Sequence, residues 1–242
     1  MKPKLAHLFL VRDNLNHEEI WQSFFKGHEG QYNIYAHAKW PQQITSRLMQ
    51  KHLISRHCET EHTKFSLVEA ELEILKAAVQ DESNQFFLLH SESCIPIRSF
   101  SIIYEQLFAL KRSWICYSKQ NINRRPKAGV SKEHFYKSSQ FFCLTRSHAQ
   151  IVLNYLDISC WKDCSCPDEH YIPTILSMHG CLHECLQRDL TFADWRRVSI
   201  SPATFHSMAL GDLKLLQHSS SFFARKFAPD SDISNYLPME FY

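Results

Sequence analysis

Residues 5–25 have the sequence LAHLFLVRDNLNHEEIWQSFF. The run from Leu5 to Val11 is apolar, as is typical of a buried strand, and Asp13-Asn14 follows it as a turn. Asn16 is a suitable helix N-cap with Glu19 three residues later, and the apolar residues that follow recur at helical spacing. This stretch therefore predicts a β-strand followed directly by an α-helix, the repeating unit of an α/β fold.

The same alternation of apolar patterns continues along the chain. The further predicted elements are strands over residues 32–37, 85–90, 114–117 and 140–144 and helices over residues 66–79, 99–110 and 148–156. We therefore predict an α/β fold with a mainly parallel central sheet and helices on both faces. Ligands of such folds bind beyond the carboxyl ends of the strands, so we expect the site in the loops after Val11, His37 and His90.

Length and composition predict one domain over residues 1–242, because no Gly-, Ser- or Pro-rich linker divides the chain. The stretch from Lys119 to Ser139 is polar and lacks periodicity. It is expected to form a long loop, either one that covers an active site or a solvated surface excursion.

The charge balance argues against a nucleic-acid-binding protein. The chain has 27 Lys and Arg against 25 Asp and Glu, and its apolar runs are too short to form an integral membrane segment. Met1 lies a few residues before the first predicted strand, which leaves no room for a signal peptide. The chain as given is expected in the cytoplasm, and in the Golgi lumen only if an N-terminal anchor has been removed.

Nine cysteines raise the alternatives of reduced buried thiols, a local disulfide or a structural zinc site. The spacing lacks a paired Cys-x2-Cys knuckle, which weakens the zinc alternative. The residues that could supply zinc ligands are Cys160, Cys164, Cys166, His170, Cys181, His183 and Cys185.

Eight further segments matter as an ordered set, namely residues 24–30, 32–37, 88–96, 138–142, 166–171, 194–197, 201–205 and 222–227. Taken together and in this order, these segments resemble the core-2/I-branching glycosyltransferases, particularly the plant and microbial branch. They extend over nearly the whole chain, from Leu5 to about Asp230.

The resemblance implies a GT-A-like fold and an inverting, metal-independent transfer of sugar from a UDP-sugar donor to a hydroxyl of a glycan or other acceptor. The family includes transferases of N-acetylglucosamine and of xylose, so either sugar type is compatible. The family's catalytic base falls on Glu169, in the segment Asp-Glu-His. Its cations for the donor diphosphate fall on Arg197 and Lys226, with the adjacent Arg196 as the alternative if the alignment slips by one residue.

The residues themselves are compatible with this chemistry. An inverting displacement needs one carboxylate as general base, and Glu169 follows Pro167 and Asp168 in the predicted first turn of a helix that runs to Met178. Backbone N–H groups at a helix start favour an ionised carboxylate. The alternative is that this acidic pair only caps the helix.

A metal-binding Asp-x-Asp turn is absent after the central strand, where the chain has His90-Ser91-Glu92-Ser93. Asp230-Ser231-Asp232 comes after the predicted core strands and is interpreted as an acidic turn. Fixed cations would then have to neutralise the leaving diphosphate. Lys226 lies between Phe223 and Phe227, where an apolar surround disfavours a lone charge, although surface solvation is the alternative for Lys226 as for Arg197.

Further site candidates follow from position at strand ends or from the resemblance. The donor nucleotide or sugar candidates are Val11, His37, Glu92 and Ser93, and the acceptor candidates are Asp194, Trp195 and Arg124. His37 is equally compatible with a structural role, and many relatives carry an Asp near the position of Cys94. Two other functions stay open: a glycan- or nucleotide-binding module without turnover, and a zinc-stabilised interaction protein.

Overall fold

A computed structural model describes residues 2–119, 124–126, 129–196 and 201–233. Its strands are β1 (Lys4–Val11), β2 (Tyr32–Ala38), β3 (Asn84–Ser91), β4 (Ile95–Pro96), β5 (Tyr117–Lys119), β6 (Tyr136–Ser138), β7 (Cys143–Thr145), β8 (Thr191–Ala193), β9 (Phe205–Ser207), β10 (Phe223–Arg225) and β11 (Phe227–Asp232). Its α-helices are α1 (Glu18–Phe25), α2 (Arg47–His52), α3 (Phe65–Ala78), α4 (Phe100–Leu110), α5 (Arg146–Asn154), α6 (Tyr171–Met178) and α7 (Leu210–His218).

The central sheet has the strand order β2-β1-β3-β7. β1 pairs in parallel with both β2 and β3, and only β7 runs antiparallel. One face packs against α3, α5 and α6, and the other packs against α1 and α4. The predicted mainly parallel sheet is confirmed, because strands buried on both faces require the near-continuous apolar runs that the sequence shows.

The start of α1 differs from the prediction. Asn16 does not cap the helix; its side-chain Nδ2 donates to the carbonyl of Phe227 at 2.9 Å, and α1 begins at Glu18. α3 likewise begins at Phe65 without a side-chain cap, because Ser66 Oγ accepts from the backbone N–H of Glu61. In both places a polar side chain that suits local capping forms a different hydrogen bond.

The middle of the chain departs further from the predicted elements. Trp114 forms only isolated bridges, with Cys143 and Leu186, and the ends of the expected 119–139 loop pair as the β5–β6 hairpin. The helix predicted from Pro167 is divided into a 3-10 helix over Pro167–Glu169 and α6, with His170 between them.

Two small sheets lie at the carboxyl ends of the central strands. One has the order β4-β10-β8, and the other pairs β9 with β11. The backbone N–H groups of Asn16 and Phe227 donate to the carbonyls of Glu92 and Ser93, each at 3.0 Å. The carboxyl ends of β1, β3 and β10 therefore meet at one corner of the molecule.

Within the described ranges, no helix combines the length and apolar character that crossing a bilayer requires.

Candidate active site

The corner where β1, β3, β8 and β10 end is rich in cations. Arg12 follows β1 and its Nε donates to Glu92 Oε1 at 2.9 Å, while Lys226 follows β10 directly. Burial lowers the pKa of Lys226, and the neighbouring charges of Arg225 and Arg12 lower it further, whereas Glu92 opposes them. Lys226 is thus a half-buried ammonium group among other cations, a position that favours an anionic ligand.

Arg225 is a second cation of this corner, and the sequence analysis did not select it. Its guanidinium lies 4.4 Å from the centre of the Phe141 ring, and its Nε is buried with no hydrogen-bond partner among the described residues. Burial lowers its pKa, and Cys94 and Glu92 act in the opposite direction. Its place beside Lys226, in a segment otherwise rich in Phe, is the sequence signal that could have identified it.

Arg196 and the acceptor candidates beside it lie after β8, whose Ala193 pairs in register with Arg225. The guanidinium of Arg196 donates to both carboxylate oxygens of Asp194, at 2.9 and 2.8 Å, and lies 3.7 Å from Asp212. Its charge is therefore compensated inside the protein. Trp195 is 56% exposed. The predicted phosphate ligand at position 197 falls outside the described residues.

Glu169 ends the 3-10 helix that precedes α6 and its side chain is 30% exposed. Its Oε2 lies 3.2 Å from Lys137 Nζ and 3.9 Å from Arg124 Nη1. Both cations pair with the carboxylate, part of which stays accessible to solvent. The carboxylate is therefore held by two cations and partly accessible, and one of those cations is Arg124, which is expected near the acceptor.

Asp168 differs from its neighbour. Burial and then the charge of Glu169 raise the pKa of Asp168 to about 6, and its Oδ1 is buried without a hydrogen-bond donor among the described residues. The two adjacent carboxyl groups thus have different environments, since Asp168 is largely buried and Glu169 is partly exposed and paired with cations.

Gln140 and Phe141 connect the two groups of charges. Gln140 Nε2 donates to Glu71 Oε1 at 2.8 Å, on the α3 helix that packs against the Pro167–Glu169 turn, and the next residue, Phe141, supports Arg225. Gln140 and Phe141 form one short segment, because consecutive Cα atoms are only about 3.8 Å apart. The helix that packs against the Pro167–Glu169 turn contacts one of these residues, and Arg225 contacts the other.

The other donor candidates at the strand ends are mostly engaged within the protein. His37 is fully buried and its Nε2 accepts from the backbone N–H of Cys58 at 2.9 Å, the geometry of the structural alternative. The carbonyl of Val11 accepts from the N–H of Lys39, and Ser93 Oγ lies 3.1 Å from Ser91 Oγ. Glu92 is paired with Arg12, and Cys94 is buried.

The cysteine cluster does not form a metal site. All nine cysteines carry free thiols, and in the described part of the chain no three His, Cys, Asp or Glu side chains are grouped so that they could hold a metal ion. His170, one of the candidate ligands, places its Nδ1 2.9 Å from the carbonyl of Tyr136 and stacks on Phe135. The structure therefore gives no support to the zinc-stabilised alternative.

Comparison with known families decides the relationship. Residues 5–217 match the family model described as Core-2/I-Branching enzyme. The chain belongs to this family. The core-2/I-branching match includes the turn that carries Glu169 and ends before Arg225 and Lys226.

Two individual proteins are similar to this core-2/I-branching chain. The first is Glycosyltransferase BC10 from Oryza sativa subsp. japonica, which is 26% identical over 229 residues, covering 79% of this chain and 57% of the rice protein. The chain therefore spans little more than half the length of that relative. The second is the crystal structure of A197 from STIV, with 12% identity and a TM-score of 0.31 over 60% of this chain and 67% of that chain.

Proposed function

We propose that this chain is an inverting glycosyltransferase of GT-A-like fold that works without a divalent metal. Its donor is a UDP-sugar of the N-acetylglucosamine or xylose type, and its acceptor is a hydroxyl of a glycan or another molecule. The observation that carries the proposal is the arrangement around Gln140 and Phe141, with an accessible carboxylate on one side and uncompensated cations on the other. Family membership and the name of the rice relative support the transferase class.

Glu169 acts as the general base in this mechanism. The acceptor oxygen attacks the anomeric carbon as its proton passes to the Glu169 carboxylate, and the bond from that carbon to the donor diphosphate breaks. Attack from the face opposite the leaving group inverts the configuration. Lys137 and Arg124 hold the carboxylate in place, at 3.2 and 3.9 Å from its Oε2.

The diphosphate leaves with added negative charge, which Lys226 and Arg225 neutralise from the end of β10. Both groups sit in an environment that penalises their charge, so an anionic ligand gains more from them than from fully solvated cations. Arg197 completes this set in the proposal, whereas Arg196 is held by Asp194 and Asp212. The end of β3 offers Ser91-Glu92-Ser93 in place of an Asp-x-Asp turn, and Glu92 pairs with Arg12.

The acceptor binds over the exposed Trp195 and close to Arg124 in this proposal. Val11, Glu92 and Ser93 lie where the donor would enter, at the carboxyl ends of β1 and β3, and backbone groups there contribute as much as side chains. Asp194 contributes indirectly, because it fixes the guanidinium of Arg196.

Hydrolysis of a panel of UDP-sugars in excess EDTA tests the function, with wild type compared with Glu169→Gln and Lys226→Ala. Activity should survive EDTA, fall about 10²- to 10⁴-fold without the base, and fall about 10- to 100-fold without Lys226. Glu105→Gln and Lys51→Ala are matched controls, because both residues are exposed on helices, α4 and α2, that carry none of the assigned site residues.

Loss of activity in EDTA would overturn metal independence alone. Full activity of Glu169→Gln would show that Glu169 is not the general base. Binding of UDP without turnover, even with glycan acceptors present, would instead establish a binding module.

A further inference from the structure

A buried acid lies beneath the turn that carries Glu169. Glu71 projects from α3 into the core and is only 3% exposed, and α3 packs directly against Pro167–Glu169. In the described structure its side chain has one hydrogen-bond partner, Gln140 Nε2, at 2.8 Å from Oε1. An ionised carboxylate with a single donor in such a position would be strongly disfavoured.

Among the residues that the structure describes, no cation forms an ion pair with Glu71. β1 and β3 present apolar side chains to this side of the sheet, among them Leu8, Leu10, Phe87 and Leu89. The charged group that acts on Glu71 is Asp168, which adds to the effect of burial and raises the pKa of Glu71 well above its ordinary value. Lys137 and His62 act on Asp168, and Lys137 and Arg124 contact Glu169 instead.

In the described structure Asp168 Oδ1 lacks a hydrogen-bond donor, and a protonated Glu71 can supply one. This Asp168 oxygen is buried, and a buried acceptor that stays unsatisfied destabilises the folded state. A protonated carboxylic acid has an O–H donor in addition to its acceptor oxygen. Glu71 and Asp168 therefore complement each other only if a proton lies between them.

We infer that Glu71 is a protonated acid in the working protein and a positioning residue, whose O–H binds Asp168 and thereby fixes the turn that carries Glu169. Gln140 completes the arrangement, because it donates to the Glu71 oxygen that carries no proton. The same Gln140 precedes Phe141, so Glu71 also anchors the segment between the base and the cations. The catalytic consequence rests on the proposed function, whereas the protonation state does not.

Isotope-edited infrared spectroscopy at neutral pH tests the proton directly. Wild type should show a protonated carboxylic acid band that disappears in Glu71→Gln and persists in Glu73→Gln. Glu73 is a matched control because it lies two residues further along α3 and pairs with Lys76 and Arg56 at the surface. Absence of the band from wild type would overturn the inference, whether or not the protein transfers sugar.

Kinetics test the positioning role. Glu71→Gln keeps the size and hydrogen bonding of a neutral acid, so its kcat should stay within about threefold of wild type, while Glu71→Leu should lose about 10- to 100-fold in kcat with little change in KM. Wild type should lose rate at alkaline pH as Glu71 ionises, and Glu71→Gln should not. An equal loss in both variants, or identical alkaline limbs, would overturn the role. If Glu71→Leu fails to fold, the infrared band and the pH profile of Glu71→Gln still decide.

Discussion

The two ends of the central sheet use cations in opposite ways. At the amino ends lies a cavity of about 990 Å³ with Arg112 and Arg146 in its lining. Arg146 donates to the carbonyls of Val79, Asp81 and Asn84 at 2.7–3.1 Å, and Arg112 donates to the carbonyls of Glu184 and Cys185. At the carboxyl ends, Arg225 and Lys226 have no such acceptors among the described residues.

The amino-end cavity also contains a Ser-His-Glu chain that resembles a hydrolytic triad. His148 Nδ1 lies 2.7 Å from Ser113 Oγ and its Nε2 lies 3.2 Å from Glu184 Oε2. Ser113 is 0% exposed, however, and its Oγ accepts from the backbone N–H of Thr145 at 2.9 Å. A nucleophile must reach its substrate. We therefore interpret these hydrogen bonds as a structural link between the segments that carry Ser113, His148 and Glu184.

In the proposed mechanism the site is the region of uncompensated charge at the carboxyl ends and not the cavity at the amino ends. Polar groups whose hydrogen bonds are complete inside the protein stabilise the fold and have little left to offer a ligand. Two of the buried charged groups that have an atom without a hydrogen-bond partner among the described residues, Arg225 at Nε and Asp168 at Oδ1, lie at the carboxyl-end side, where charges of opposite sign flank Gln140 and Phe141.

Of the substitutions that distinguish the two ends of the central sheet, Arg146→Ala should have the largest effect on stability. Three backbone carbonyls near the end of α3 would lose their donor, so we expect the free energy of unfolding to fall by about 2–4 kcal/mol, measured by urea denaturation. Activity per folded molecule should not change. Arg47→Ala is the control. Arg47 is the first residue of α2, as Arg146 is the first residue of α5, but Arg47 is exposed. A loss of kcat without a loss of stability would break the comparison.

Ser113→Ala should have a smaller effect. Its hydroxyl links His148 with Thr145, so we expect unfolding to become easier by about 1–2 kcal/mol while donor hydrolysis stays at the wild-type rate. Ser147→Ala serves as control, because Ser147 is exposed on α5, directly before His148. Loss of an esterase activity in Ser113→Ala alone would show that the cavity is a second catalytic site.

A further effect of similar size is a pH dependence at the carboxyl-end side. The pKa of Asp168 is raised in the folded protein from about 3.8 to about 6, so its contribution to stability is complete below about pH 4 and is lost as the pH rises through about 6. Wild type should therefore lose about 2 kcal/mol of unfolding free energy relative to Asp168→Asn between about pH 4 and pH 7. Chemical denaturation at both pH values measures the difference, and parallel curves would contradict the raised pKa.

Local pattern predicted much of the fold. The strands over residues 5–11, 32–37 and 85–90 needed only their apolar runs, and the observed strands begin and end within one residue of these bounds. The middle of the chain was harder, because Trp114 and the residues after it form bridges and a hairpin whose partners lie about 20–70 residues away. Sequence spacing carries no signal for such pairings.

The residues of the candidate site also divide into those that the sequence predicted and those that only the fold brings together. The order of segments and the type of side chain were enough to select Glu169 and Lys226, because both depend on a resemblance carried by contiguous residues. The compensation of Arg196 by Asp212, the support of Arg225 by Phe141 and the burial of Glu71 beneath Asp168 each join residues 16 to 97 positions apart. Only the tertiary structure decides them, because burial and the distance between charges, which set the energy of an ionised group, do not exist until the chain has folded.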